Sequence, residues 1–161
     1  MYNKTTDDIS LSEYQALAEI RYQIRRFLAF SERMARAAGL ESQQQQALLA
    51  LKGLPEGKQA TVGYLAERLQ LQHHSTVELI NRLAENNYVQ RRRDEVDQRR
   101  VIVELTGRGE EILRELTLAH RDELQLTGPA LVRALNAVIE FDSPMAGVHS
   151  VASNQIGEDR S

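Results

Sequence analysis

Five arginines crowd one stretch, YVQRRRDEVDQRRVIVELT, of a chain whose formal net charge is -3. Arg91, Arg92 and Arg93 stand on one side of an acidic segment, and Arg99 and Arg100 on the other. A guanidinium presents a planar fork of donors that suits phosphate and carboxylate oxygens, so the pattern is equipped to hold anions rather than to break bonds. VIVELT alternates as a strand does, with Val101, Val103 and Leu105 on one face and Ile102 and Glu104 on the other. YVQRRR alternates more loosely, and DEVDQRR is the polar link between the two. The expectation is a two-stranded hairpin with arginines at its tip and flanks. Neighbours on a strand point oppositely, so Arg99 and Arg100 face different ways, and Arg91, Arg92 and Arg93 cannot all meet one partner.

Other residue types that could do chemistry do not assemble into a site. His73 and His74 are adjacent, and adjacent residues on a helix point about 100° apart, too far to chelate one ion well; His120 with Glu123 is a pair without further ligands. The chain has no cysteine, which excludes disulfides, thiolate metal sites, cysteine nucleophiles and thiol switches. GRGEE, residues 107 to 111, lacks the Lys-Ser/Thr end of a phosphate loop, and no serine sits in a nucleophile elbow. Neither catalysis, nor a metal, nor a cofactor is expected.

Those residues must be carried by a chain of 161 residues, 42% hydrophobic and 27% charged, enough for one core-forming domain with appendages. No apolar stretch approaches the roughly 20 residues that span a membrane, and MYNKTTDD has neither a basic nor an apolar leader region, so a cytoplasmic protein is expected. Charge is uneven. From Lys58 to Arg108, 9 Lys or Arg stand against 7 Asp or Glu, whereas the remainder holds 11 against 16. The basic third is the one that contains the hairpin.

Along the chain the periodicity predicts helix, helices, hairpin, helices. Ser10 with Glu13 forms a capping box before a helix from Ser12 to Ala38, with Leu17, Ile24, Phe27, Leu28, Met34 and Ala38 at helical spacings and Gly39 as its stop. Tyr14, Ala18, Ile20, Tyr22 and Phe30 lie off that stripe, more apolar surface than a small monomer covers, which argues for a partner chain. ESQQQQALLALKGLP reads as a short helix capped by Ser42 with Gln45 and ended by Gly53 and Pro55. Two short amphipathic helices follow: Val62, Leu65, Ala66 and Leu69 face inward in one, and Val77, Ile80, Leu83 and Ala84 in the other. A turn near Gln70 to Gln72 separates them, the pattern of a helix-turn-helix. Asn86 and Asn87 suit the left-handed exit into the hairpin. Beyond it, Ile112, Leu116, Ala119 and Leu124 mark another helix, broken at Thr127-Gly128-Pro129 before a last short one in ALVRALNAVIEF. DSPMAGVHSVASNQIGEDRS lacks sustained periodicity and reads as a tail.

From GLESQQQQALLAL, through TVGYLAERLQLQHHSTVELINRLAENNYVQRRRDEVDQRRVIVELTGRGEEI, the sequence resembles the MarR family of winged helix-turn-helix regulators. The likeness spans about residues 38 to 125. Its most specific part is Asp97-Gln98-Arg99-Arg100 running without a gap into VIVELT and a glycine-containing helix start, with RLAENNYVQR at the expected distance upstream. The resemblance implies a mainly α fold with a small β-hairpin: an N-terminal dimerisation helix (10–38), a winged helix-turn-helix DNA-binding domain (41–106), C-terminal dimerisation helices (107–141) and a flexible tail (142–161).

It also implies a homodimer that places the second short helix in the major groove and the hairpin, the wing, at the adjacent minor groove of a palindromic double-stranded operator. Arg99 matches the arginine of the family's Asp-x-Arg wing motif and is the expected minor-groove contact, with Asp97 holding a nearby arginine; Arg100 is a further candidate. His73, His74, Ser75 and Thr76 fall in the first turn of the reading helix, and Arg82 matches a family arginine two turns on. Ser75 with Glu78 also fits a capping box. Where the family more often has hydroxyl residues this chain has His74, and Glu78 is an acid close to phosphates. Family members commonly bind small aromatic or phenolic effectors, and a repressor relieved by such a molecule is the expected function. The rival reading is a helical dimeric protein-interaction module whose basic hairpin binds an acidic partner without sequence-specific DNA binding.

Overall fold

The structure is a computed structural model and describes residues 9–142. The element order is α1 (Leu11–Ala37), α2 (Ser42–Lys52), α3 (Val62–Leu69), α4 (His73–Glu85), β1 (Val89–Arg93), β2 (Val101–Leu105) and α5 (Gly107–Ile139), closed by a single 3-10 turn at Glu140–Asp142. Among the described residues no helix is long and apolar enough to cross a membrane.

The helix ends follow local chemistry. Ser10 Oγ accepts from the Glu13 backbone N–H and the Glu13 carboxylate accepts from the Ser10 N–H at 2.6 Å, the predicted capping box. The Ser10 N–H, and after it the Ser10 hydroxyl, donate to the Glu13 carboxylate and hold it below its ordinary range. α1 stops where Gly39 takes φ +78, letting Leu40 N–H reach Ala35 O at 2.9 Å and carrying Leu40 into the core. The same device ends α4: Asn87 takes φ 59, Tyr88 N–H donates to Leu83 O at 2.9 Å, and Tyr88 is buried.

Two caps differ from the sequence expectation. α2 is capped by Glu41 with Gln44, one residue earlier than Ser42 with Gln45, which leaves Gln45 to turn inward. α4 is preceded by Gln72, which makes no side-chain cap, so Ser75 lies inside the helix and forms no box with Glu78.

Leu48, Leu65, Leu79, Ile80, Leu83 and Val103 are essentially solvent-free and join α2, α3, α4 and the hairpin into one core. β1 and β2 pair antiparallel with Val89 opposite Leu105 and Arg93 opposite Val101. β2 is held on its other edge by the segment before α3, through Val103 N–H to Ala60 O at 2.9 Å. α5 starts hard against β1. Thr106 caps it and donates to Asn87 O at 2.7 Å, and a Cβ on Gly109 would lie 2.1 Å from the Tyr88 carbonyl oxygen, so only glycine fits there.

α5 is one helix, not two. Pro129 lies inside it and does not break it at Thr127-Gly128-Pro129 as the sequence predicted. A proline in a helix forfeits the bond to the carbonyl four residues back, here Gln125, and costs about 3 kcal/mol. Gln125 and Pro129 are both exposed, so that carbonyl is open to water, and packing of α5 along α1 carries the helix through. The expected pair of C-terminal helices is therefore a single 33-residue helix with a 3-10 turn. The expected tail lies, after Asp142, outside the described residues.

Candidate nucleic-acid interface

α4 turns Thr76, Leu79, Ile80 and Leu83 into the core, and His74, Glu78 and Glu85 outward with Asn81 half-buried along the same stripe. His73 and His74 are exposed in its first turn and Ser75 is half-buried. Without a side-chain cap at Gln72, the first-turn N–H groups keep donors free for an anion. Thr76 does not belong with them. It is 0% exposed and its hydroxyl donates to Gln72 O at 3.0 Å, so a base edge cannot reach it, a correction to its placement among the reading residues. Arg82 bonds Glu41 at the head of α2 (Nη2 to Oε2, 3.4 Å), and its Nε is buried without a partner.

In the hairpin, four of the five arginines are occupied. Arg91 donates to Asn81 Oδ1, fastening β1 to the outward stripe of α4. Arg92 Nε pairs with Glu104 Oε1 across the strands at 2.8 Å, which holds the Glu104 carboxyl below its ordinary range, and Arg93 reaches Gln98 O. Arg100 lies 3.8 Å from the carboxylate of Asp94. Arg99 is exposed, and among the described residues its guanidinium has no hydrogen bond or ion pair.

The tip is organised by Asp94 rather than by Asp97 alone. Asp94 is 3% exposed; its carboxylate accepts from Val96 N–H at 3.0 Å, and its own N–H donates to Arg100 O. Asp97 was expected to hold an arginine side chain. Its carboxylate instead accepts from the Arg99 backbone N–H at 3.1 Å, because the turn brings that donor closer than any guanidinium. The result is a stiffened turn that presents Arg99 outward. Sequence reasoning passed over Asp94, although its place as the first acid after β1, across the turn from Arg100, was the available signal.

Residues 38–100 match the family model of the MarR family. That stretch of the chain is similar to the MarR family. Among solved structures it is similar to a MarR family transcription regulator at TM-score 0.66 and 24% identity, over 80% of this chain and 88% of that one. AbsC, a MarR family transcriptional regulator from Streptomyces coelicolor, aligns at TM-score 0.65 and 21% identity over 83% and 95%. A mutant of Staphylococcus aureus MepR bound to an oligodeoxyribonucleotide aligns at TM-score 0.59 and 19% identity over 80% and 91%. At these identities the likeness establishes the winged helix fold. No curated protein sequence matches.

Beside the core of the winged helix domain, α1, α2 and α5 enclose an open cavity of about 600 Å³ with Phe27, Leu28, Leu49 and Leu124 on its apolar walls. His120 stands at its inner edge. His120 Nδ1 lies 2.6 Å from Leu116 O, so it carries the proton, and Nε2 is the acceptor, 2.9 Å from Ser31 Oγ and 3.0 Å from Gln45 Nε2. Phe27 and Phe30 pack edge-on to the imidazole, with ring centres 5.9 and 5.4 Å away. No group of three or more His, Asp or Glu among the described residues is placed to hold a metal.

Proposed function

We propose that the protein is a homodimeric, sequence-specific DNA-binding transcriptional regulator, a repressor relieved by a small aromatic or phenolic effector. The observation that carries this reading is the hairpin tip. A turn stiffened by buried Asp94 presents one unspent arginine, Arg99, while Arg91 ties the same hairpin to the outward stripe of α4. α4 suits the major groove, where base edges are distinguishable, and Arg99 suits the narrow minor groove, where negative potential is concentrated. The oligodeoxyribonucleotide-bound MepR mutant of the same fold supports the assignment.

Dimerisation is supported by apolar residues left exposed on α1 (Leu11, Tyr14, Leu17, Tyr22) and on the far half of α5 (Leu126, Val132, Leu135, Ile139). A two-fold dimer would read a palindrome with half-site centres roughly 34 to 36 Å apart. The cavity against His120 is the candidate effector site. A molecule there switches DNA binding only through unequal affinity for two arrangements of the helices around it.

Selection of bound duplexes from a random pool at near-physiological salt, with Arg99→Ala in parallel, tests the proposal. Enrichment of one palindrome by the wild type, weakened in the variant, is expected. Absence of any enriched sequence would reject sequence-specific binding in favour of a protein-interaction module with a basic hairpin.

A further inference from the structure

Glu78 has no structural task in this fold. It is exposed one turn beyond His74 on the outward stripe of α4, it caps nothing, and among the described residues its carboxylate has no ion pair and no hydrogen bond. On a surface facing phosphates, an unpaired carboxylate repels its target unless it meets a donor. In the major groove only two base-edge donors exist, the N4 amino group of cytosine and the N6 amino group of adenine. An ionised carboxylate is acceptor-only. Beside adenine N6 lies N7, another acceptor, which would oppose the second carboxylate oxygen, whereas cytosine has only C5–H beside N4. Asparagine is the side chain that suits adenine, and the nearby Asn81 has its carbonyl oxygen committed to Arg91.

We infer that Glu78 is a specificity-determining residue that reads cytosine in each half-site through its N4 amino group. The inference rests on the DNA-binding reading above and adds to it the identity of a base. It makes Glu78 a discriminator at the expense of affinity: the carboxylate rewards one base pair and penalises every other duplex by its charge.

Glu78→Ala tests this cleanly, because the position is exposed and alanine favours a helix. The wild type and the variant are assayed by fluorescence anisotropy on the duplex selected by the wild type. Each is also assayed on duplexes in which each half-site cytosine is changed in turn to thymine, which carries an acceptor where cytosine has its donor, and on an unrelated duplex. For the wild type, one cytosine-to-thymine change is expected to weaken binding roughly tenfold or more. In Glu78→Ala that penalty should fall to within about threefold, while binding to the unrelated duplex strengthens. Retention of every base preference, with a uniform gain in affinity, would overturn the inference and leave Glu78 a repulsive charge only. A wild type that selects no sequence would instead overturn the DNA-binding reading itself, so the two failures are distinguishable.

Discussion

His120 Nε2 lies 2.9 Å from Ser31 Oγ, a bond between residues 89 positions apart that joins α5 to α1 at the point where Gln45 of α2 also converges. Ser31 and Gln45 are both buried. Replacing His120 by alanine therefore removes a hydrogen-bond partner from both and widens the open cavity beside them. The His120→Ala variant is expected to be about 1 to 3 kcal/mol less stable, with an unchanged dependence on denaturant. Chemical denaturation of both proteins measures it.

Gly109→Ala should be among the most damaging single changes in the fold. The new methyl would sit 2.1 Å from the Tyr88 carbonyl oxygen, and backbone on both sides is fixed by the Thr106 cap and the core. A loss of about 3 kcal/mol or more is expected, read as a lowered midpoint in thermal unfolding.

Asp94→Ala separates geometry from charge. Removing an acid near DNA should by charge alone tighten binding, yet this change also releases Val96 N–H and Arg100 and loosens the turn that aims Arg99. Weaker binding to the selected duplex by roughly tenfold is the expected result, the worth of about one hydrogen bond of ordering. Tighter binding would show that the turn needs no such support.

Arg99→Ala and Arg92→Ala should differ in their salt dependence. A residue that neutralises one phosphate contributes about one unit to the slope of log affinity against log salt. Loss of Arg99 is expected to remove about that much. Loss of Arg92, already paired with Glu104, should remove little.

Glu104 carries a pH signature. Its carboxyl is lowered first by the hydrogen bond from Arg92, so the folded state favours the ionised form. Stability from the pair is fully present above the usual glutamate value, about 4.3, and is lost as pH falls through the lowered folded value. The pair is partly exposed and its contribution small. The stability difference between wild type and Glu104→Gln should accordingly be measurable at neutral pH and vanish in acid.

Much of this was legible in the residues, for local reasons. The Ser10–Glu13 box, the Asn87 exit and the helix-turn-helix depend on neighbours within a few positions, and those were read correctly. Thr76 was misplaced among the reading residues, although it stands three, four and seven positions before the buried Leu79, Ile80 and Leu83, a spacing that already marks the inner face. The α2 cap was one residue out because Ser42 with Gln45 fits the Ser-x-x-Gln pattern whereas Glu41 with Gln44 does not; in the fold Gln45 instead meets His120, 75 positions away. Pro129 misled for a related reason: its cost is local, but the packing of α5 on α1 that outweighs it is not.

Only Thr106 separates the last residue of β2 from the first residue of α5, and that threonine is pinned to Asn87 O. Hairpin and helix are therefore joined without slack, and α5 alone is a rod roughly 50 Å long. Tilting such a rod by about 5° displaces its end by roughly 4 Å. That is about the distance between successive base pairs, so a change of angle too slight to disturb the core would move the wing out of step with the groove.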